Sequence, residues 1–151
     1  MGLVFFALLM SCGYVSLAYG GAPATERVFG GNAENYAAED GSCTVFQGNS
    51  ARSMRCSDPE VLRRYIAGLR LYSLTGDYRL LPEDGENLVV IYQPVGRDGP
   101  AVGVDLSDHA LTVTRFGEKI RQERYYLMDG PDWTWLHTLL KEQNTEEESE
   151  K

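Results

Sequence analysis

From Leu80 onward apolar residues recur with a period of two, broken only by short turn-forming clusters. No other feature narrows the possible folds as much. Leu88 to Tyr92 reads as a buried strand, closed by Pro94 and the turn Gly96-Arg97-Asp98-Gly99-Pro100. Ala101 to Leu106 is the next strand, Ser107-Asp108 a tight connection, and Ala110 to Arg115 the return. A fourth strand runs through Arg124 to Met128. Parallel neighbours need crossovers of a dozen or more residues, so connections this short require an antiparallel meander.

Helices flank this sheet. Asp58 can cap a helix whose first position suits Pro59, where no N–H is missed. Leu62, Tyr65, Ile66, Leu69 and Tyr72 then recur at spacings of three and four, so one stripe faces a core. Arg63, Arg64 and Arg70 fall on or near the wet side, where they read as solvated helix charges. Gly68 is an interior weakness or a close-packing point, and Thr75-Gly76-Asp77 breaks the helix. Thr44 to Gln47 is a short strand candidate. Asp129-Gly130-Pro131 opens a last helix with Trp133, Leu136, Leu139 and Leu140 as its stripe. The expected class is α+β: an N-terminal helix, an antiparallel or mixed meander, and a C-terminal helix.

The ends have a different character. No charged side chain precedes Glu26, Leu3 to Met10 is a short apolar run, and Ala18-Tyr19-Gly20 has the small-x-small spacing of a signal-peptidase site. Residues 1–20 therefore read as a secretory signal, with an uncleaved anchor or a buried N-terminal segment as alternatives. The expected location is the secretory pathway, extracellular or vacuolar. Residues 21–41 show no period and read as a flexible lead-in, 42–141 as one α+β domain, and 142–151 as an acidic tail. Cys12 leaves with a cleaved leader, so Cys43 and Cys56 remain as a pair for an oxidising compartment, or as two free thiols. A bridge between them would close a loop of about 14 residues and contribute roughly 3 kcal/mol.

Charge and motifs exclude much. A net charge of -8 argues against autonomous, salt-driven binding of nucleic acid. P-loop, dinucleotide, nucleophile-elbow and zincin motifs are absent, and neither His nor Cys stands at zinc spacing, so no metal or cofactor is expected. His109 and His137 are the only histidines and read as a turn residue and a helix-surface residue. Trp133, Trp135, Tyr125 and Tyr126 read as core before ligand platform. The residues alone declare no catalytic set.

The order of elements carries a resemblance. Thr44-Val45-Phe46 followed by Leu62-Arg63-Arg64-Tyr65-Ile66-Ala67-Gly68-Leu69-Arg70 resembles the first strand and first helix of the ribosome-inactivating proteins. Leu80-Leu81-Pro82 is similar to that family's turn into its sheet, and Leu88-Val89-Val90-Ile91 to its next strand. Val102 to Arg115 resembles its hairpin, and Tyr125-Tyr126-Leu127 its next aromatic strand. The resemblance spans residues 44–128, the N-terminal half of that fold.

It implies an rRNA N-glycosylase, a toxin or defence hydrolase that removes one adenine from large-subunit rRNA and so inhibits translation, with the ribosome as partner. Such chemistry needs aromatic faces for an unstacked base and groups that stabilise charge on base and sugar. The family's hairpin position implies substrate contacts by Asp108, His109, Ala110 and Leu111. Here Ala110 replaces the stacking tyrosine and Asp108 an asparagine. The Glu-x-x-Arg helix of the family's second half has no counterpart, so no catalytic residue carries over. A half-fold also leaves one sheet face without its usual helices, which implies a marginal fold or self-association. The alternative reading is a secreted non-catalytic binding or inhibitory module with an unknown protein partner.

Overall fold

A computed structural model describes residues 21–47, 49–73, 85–96 and 98–142. The leader, the Thr75-Gly76-Asp77 breaker, the Leu80-Leu81-Pro82 turn and all but the first residue of the acidic tail lie outside the described residues. The chain is α+β. Strands β1 (Ala22–Pro23), β2 (Tyr36–Gln47), β3 (Ser50–Cys56), β4 (Arg70–Leu71), β5 (Glu86–Pro94), β6 (Ala101–Leu106), β7 (Ala110–Phe116), β8 (Ile120–Tyr126) and β9 (Leu140–Glu142) are joined by helices α1 (Ala24–Phe29), α2 (Pro59–Gly68) and α3 (Trp133–Leu139). Seven strands form one sheet in the order β8-β7-β6-β5-β2-β3-β9, and β1 pairs with β4 beside it. Every pairing is antiparallel.

The meander β5-β6-β7-β8 follows from the period of two. Leu88 faces Leu106, which faces Leu111, which faces Tyr125, so one row of apolar side chains crosses four strands. These residues share a core with Val28 and Phe29 of α1, Leu62 and Ile66 of α2, and Leu136 of α3. The three helices cover one sheet face. On the other lie Thr44, Val89, Asp105, Thr112 and Thr114, all half-buried. Asp58 caps α2 by accepting from Val61 N–H at 3.0 Å, and Asp132 caps α3 by accepting from Trp135 N–H at 3.0 Å.

Four expectations change. Residues 21–41 are not a flexible lead-in: they form β1, α1 and the start of β2, with Ala24, Val28 and Phe29 buried. Their apolar residues are too few to show a period, yet tertiary contact buries them. The strand expected over 44–47 is twelve residues long, and it bends at a bulge between Ala38 and Cys43 where Gly41 has φ +67°. A β-carbon on Gly41 would stand 2.8 Å from Pro59 Cγ, so glycine serves both the turn and the close approach of α2. The fourth meander strand begins at Ile120, not Arg124, since polar Arg121, Gln122 and Glu123 pair as well as apolar residues do. Arg63 is not solvated: its guanidinium is folded inward and donates to the Tyr36 carbonyl.

A polar basin at the edge of the sheet

The hairpin residues singled out in the sequence lie in and beside the β6–β7 turn. Ser107 closes the β6–β7 turn, its N–H donating to the Ala110 carbonyl at 2.9 Å and its hydroxyl to the same atom at 3.1 Å. Ala110 and Leu111 are 2% and 0% exposed, so neither can meet a base from solvent. Asp108 accepts from the indole Nε1–H of Trp133, which ties the turn to α3. His109 is exposed, and its carbonyl accepts from Leu127 N–H at 2.9 Å. The fold thus sends these four neighbours to different surroundings.

Cys43 and Cys56 are buried free thiols, not a disulfide. Cys43 pairs with Met54 across the β2–β3 ladder, which leaves Cys56 on the diagonal. Diagonal neighbours stand about 7–8 Å apart, beyond the roughly 4.4–6.8 Å between disulfide-linked Cα atoms. The Cys43 thiol lies 3.6 Å from the Met54 carbonyl, and burial, with Cys56 second, pushes it up to about 12. Burial raises Cys56 too.

His137 meets a carboxylate. Its Nε2 lies 3.0 Å from Glu86 Oε2, joining α3 to the first residue of β5. Trp133 and His137, one helical turn apart, thus grip the sheet end at Asp108 and Glu86 respectively. Tyr65 packs on Trp135 with ring centroids 4.7 Å apart, and its hydroxyl accepts from Asp132 N–H at 2.8 Å. The pair His137–Glu86 has the ingredients of an acid–base couple. The contact tethers α3 to the start of β5.

A polar concavity lies elsewhere. A basin of about 840 Å³ wraps the β8 side of the sheet. Asp105, Thr112 and Arg124 form one cross-strand row along its floor. Asn87 donates to Asp105 Oδ1 at 3.2 Å, and Ser107 and Gln122 extend the floor at either side. Arg27, Ser73, Glu123 and Tyr125 complete the wall. Glu123 accepts from the Tyr125 hydroxyl at 2.9 Å and lies 3.8 Å from Arg115, while the Arg27 guanidinium stands 6.0 Å from the Tyr125 ring centroid. Burial, then the hydrogen bond to Glu123, raises the Tyr125 hydroxyl above its ordinary range. Two arginines face two carboxylates, so the lining is close to neutral.

Sequence reading missed this site because its residues come from seven separate elements or loops. One signal was present. Asn87, Asp105, Thr112 and Arg124 are polar residues of the four meander strands, and alternation alone puts them on one face. Among the described residues no group of three or more His, Cys, Asp or Glu gathers as metal ligands, and no helix is long and apolar enough to cross a membrane. The chain matches no family model, no curated protein and no solved structure.

Proposed function

We propose that this chain is a non-catalytic binding module of the secretory pathway, with the β8-side basin as its recognition surface and a neutral, hydroxyl-rich ligand, a carbohydrate, as its cargo. The balanced polar lining carries this reading. An anion would call for excess positive charge and a cation for excess negative, whereas Arg27 and Arg124 offset Asp105 and Glu123. Planar side chains such as Asn87, Asp105 and Arg124 present paired donors and acceptors to adjacent hydroxyls. Asn87–Asp105 and Tyr125–Glu123 are bonded to each other before any ligand arrives, which limits the ordering cost of binding.

The rRNA N-glycosylase reading, in the form of a partial ribosome-inactivating fold, draws no support from the hairpin, where Ala110 and Leu111 are buried and Asp108 is bonded to Trp133. One experiment addresses both. The chain is titrated with soluble oligosaccharides at millimolar concentration by ligand-observed NMR, and separately incubated with intact ribosomes while free adenine is measured. Saturation transfer to a sugar that is lost in Asn87→Ala and Thr112→Val supports the basin. Silence across the panel removes the carbohydrate reading, and adenine release replaces it with the glycosylase.

A further inference from the structure

We propose that the ligand of the basin is an extended, neutral, β-linked glycan, and that a second subsite centred on the ring of Phe116 holds its far end. The subsite rests on the carbohydrate reading of the basin and adds to it a chain length and the residue that senses it. On the sheet face opposite the helices, two rows of side chains follow Thr112. Ile91 pairs with Gly103, Gly103 with Thr114 and Thr114 with Gln122; Ala101 pairs with Phe116 and Phe116 with Ile120. Alternation puts all of them on the face of Thr112. Gly103 decides the shape of this strip. A β-carbon there would stand 3.0 Å from Cε2 and 3.4 Å from Cζ of Phe116, so the end of the ring fills the space over the glycine and the ring leans across β6. Phe116 is 42% exposed, and it lies between Ile91 at 48% and Ile120 at 71%.

Charge and shape choose the occupant. From β5 to β8 these two rows carry no charged side chain, so an ionic ligand finds no counter-charge there and a neutral one buries no charge. The sugar rings of a β-linked glycan present flat faces of C–H bonds edged by hydroxyls. The faces gain by covering apolar side chains, and the hydroxyls need hydrogen-bonding groups alongside. Phe116 with Ile91 and Ile120 offers the first, Thr114 and Gln122 the second. Gln122 Nε2 donates to Thr114 Oγ1 at 3.4 Å, which holds the amide on this face. Gln122 also lines the basin, so strip and basin form one continuous surface. Thr112 and Phe116 stand four residues apart on β7, about 14 Å at the rise of a strand. One sugar ring cannot span that distance, whereas a chain of several can. A stable protein partner would call for about 1,200 Å² or more of buried surface, which a strip of three apolar side chains does not supply.

NMR titration of the full chain with cello-, xylo- and chito-oligosaccharides, from disaccharide to hexasaccharide, reads the second subsite. In the series that binds, the hexasaccharide should bind about tenfold tighter than the disaccharide, since covering roughly 55 Å² of apolar ring surface is worth that factor. Phe116→Leu keeps an apolar side chain but removes the flat ring. It should abolish the gain with length and leave disaccharide binding at the basin unchanged, whereas Phe116→Trp should keep the gain. Thermal melts check that both variants are folded. Disaccharide binding without a gain in length would overturn the subsite and leave the basin reading intact, as would a gain that survives in Phe116→Leu. Silence at every length in the unaltered chain would remove the carbohydrate reading and the subsite together. Self-association that is lost in Phe116→Leu, with no gain in glycan length, would overturn the subsite and assign the strip to a second copy.

Discussion

Replacing Tyr92 by phenylalanine should make the protein more stable. Tyr92 is fully buried at the centre of the sheet, paired with Val102 on one side and Ala38 on the other, with its ring edge-on to Phe29 at 5.2 Å. Its hydroxyl has no hydrogen-bond partner among the described residues, and neither has the buried Nε of Arg63. An orphaned buried hydroxyl costs about 1–3 kcal/mol, and removing it forfeits the dispersion contacts of one oxygen, roughly 0.5–1 kcal/mol. The expected net gain is about 1 kcal/mol, or about 3–5 °C in the melting temperature of a domain this size. Burial pushes this hydroxyl far above the ordinary tyrosine range. A folded-state pKa above the unfolded value means stability that is complete below about pH 10 and falls as the pH rises past it. The gap between Tyr92→Phe and the unaltered chain should stay constant from pH 6 to 9 and widen above 10. Urea titrations followed by circular dichroism across that range measure both effects. A loss of 1 kcal/mol or more in Tyr92→Phe at pH 7 would refute the reasoning, because it would mean the hydroxyl is satisfied after all.

Three further outcomes test other parts of the fold. Cys43 and Cys56 should resist iodoacetamide at pH 8 in the folded chain and react once it is unfolded, as read by peptide mapping; a linked Cys43–Cys56 peptide would contradict the free thiols. Since the Cys43 thiol rises to about 12, its contribution to stability is complete below pH 9 and is lost between 9 and 12, so alkaline unfolding should begin lower than in Cys43→Ala. Gly130→Ala should cost about 1–3 kcal/mol, because its β-carbon would lie 2.7 Å from the Asp108 carbonyl oxygen and force the turn away from Trp133. An unchanged urea midpoint together with unchanged tryptophan emission would show that this contact yields freely.

Local chemistry explains which elements were legible. The Asp58-Pro59 start of α2, the turn at Ser107-Asp108 and the alternation in β6 and β7 depend on residues a few positions apart, and each stands where the sequence puts it. β3 and β9 left no such mark. Ser50-Ala51-Arg52-Ser53 is polar because that part of β3 is exposed, and its pairing is supplied by β2. Leu140-Lys141-Glu142 continues the apparent helix of α3, yet it pairs with Met54, Arg55 and Cys56 as the last strand of the sheet. Helical spacing could not foretell that change, because the partner strand lies more than eighty residues earlier.

By itself the sequence determined an α+β class, an antiparallel meander and the caps of its two longer helices, all consequences of side-chain period, turn residues and backbone donors within a few residues. Tertiary structure alone decided that the β2–β3 hairpin docks on β5, that α1 is buried, and that the two cysteines sit on a diagonal too long to bridge. It also gathered Asn87, Asp105, Thr112 and Arg124 into one basin. The reason is common to all of these. A hydrogen-bond ladder joins residues remote in sequence, and a polar side chain in a strand reveals its role only when the neighbouring strands are in place.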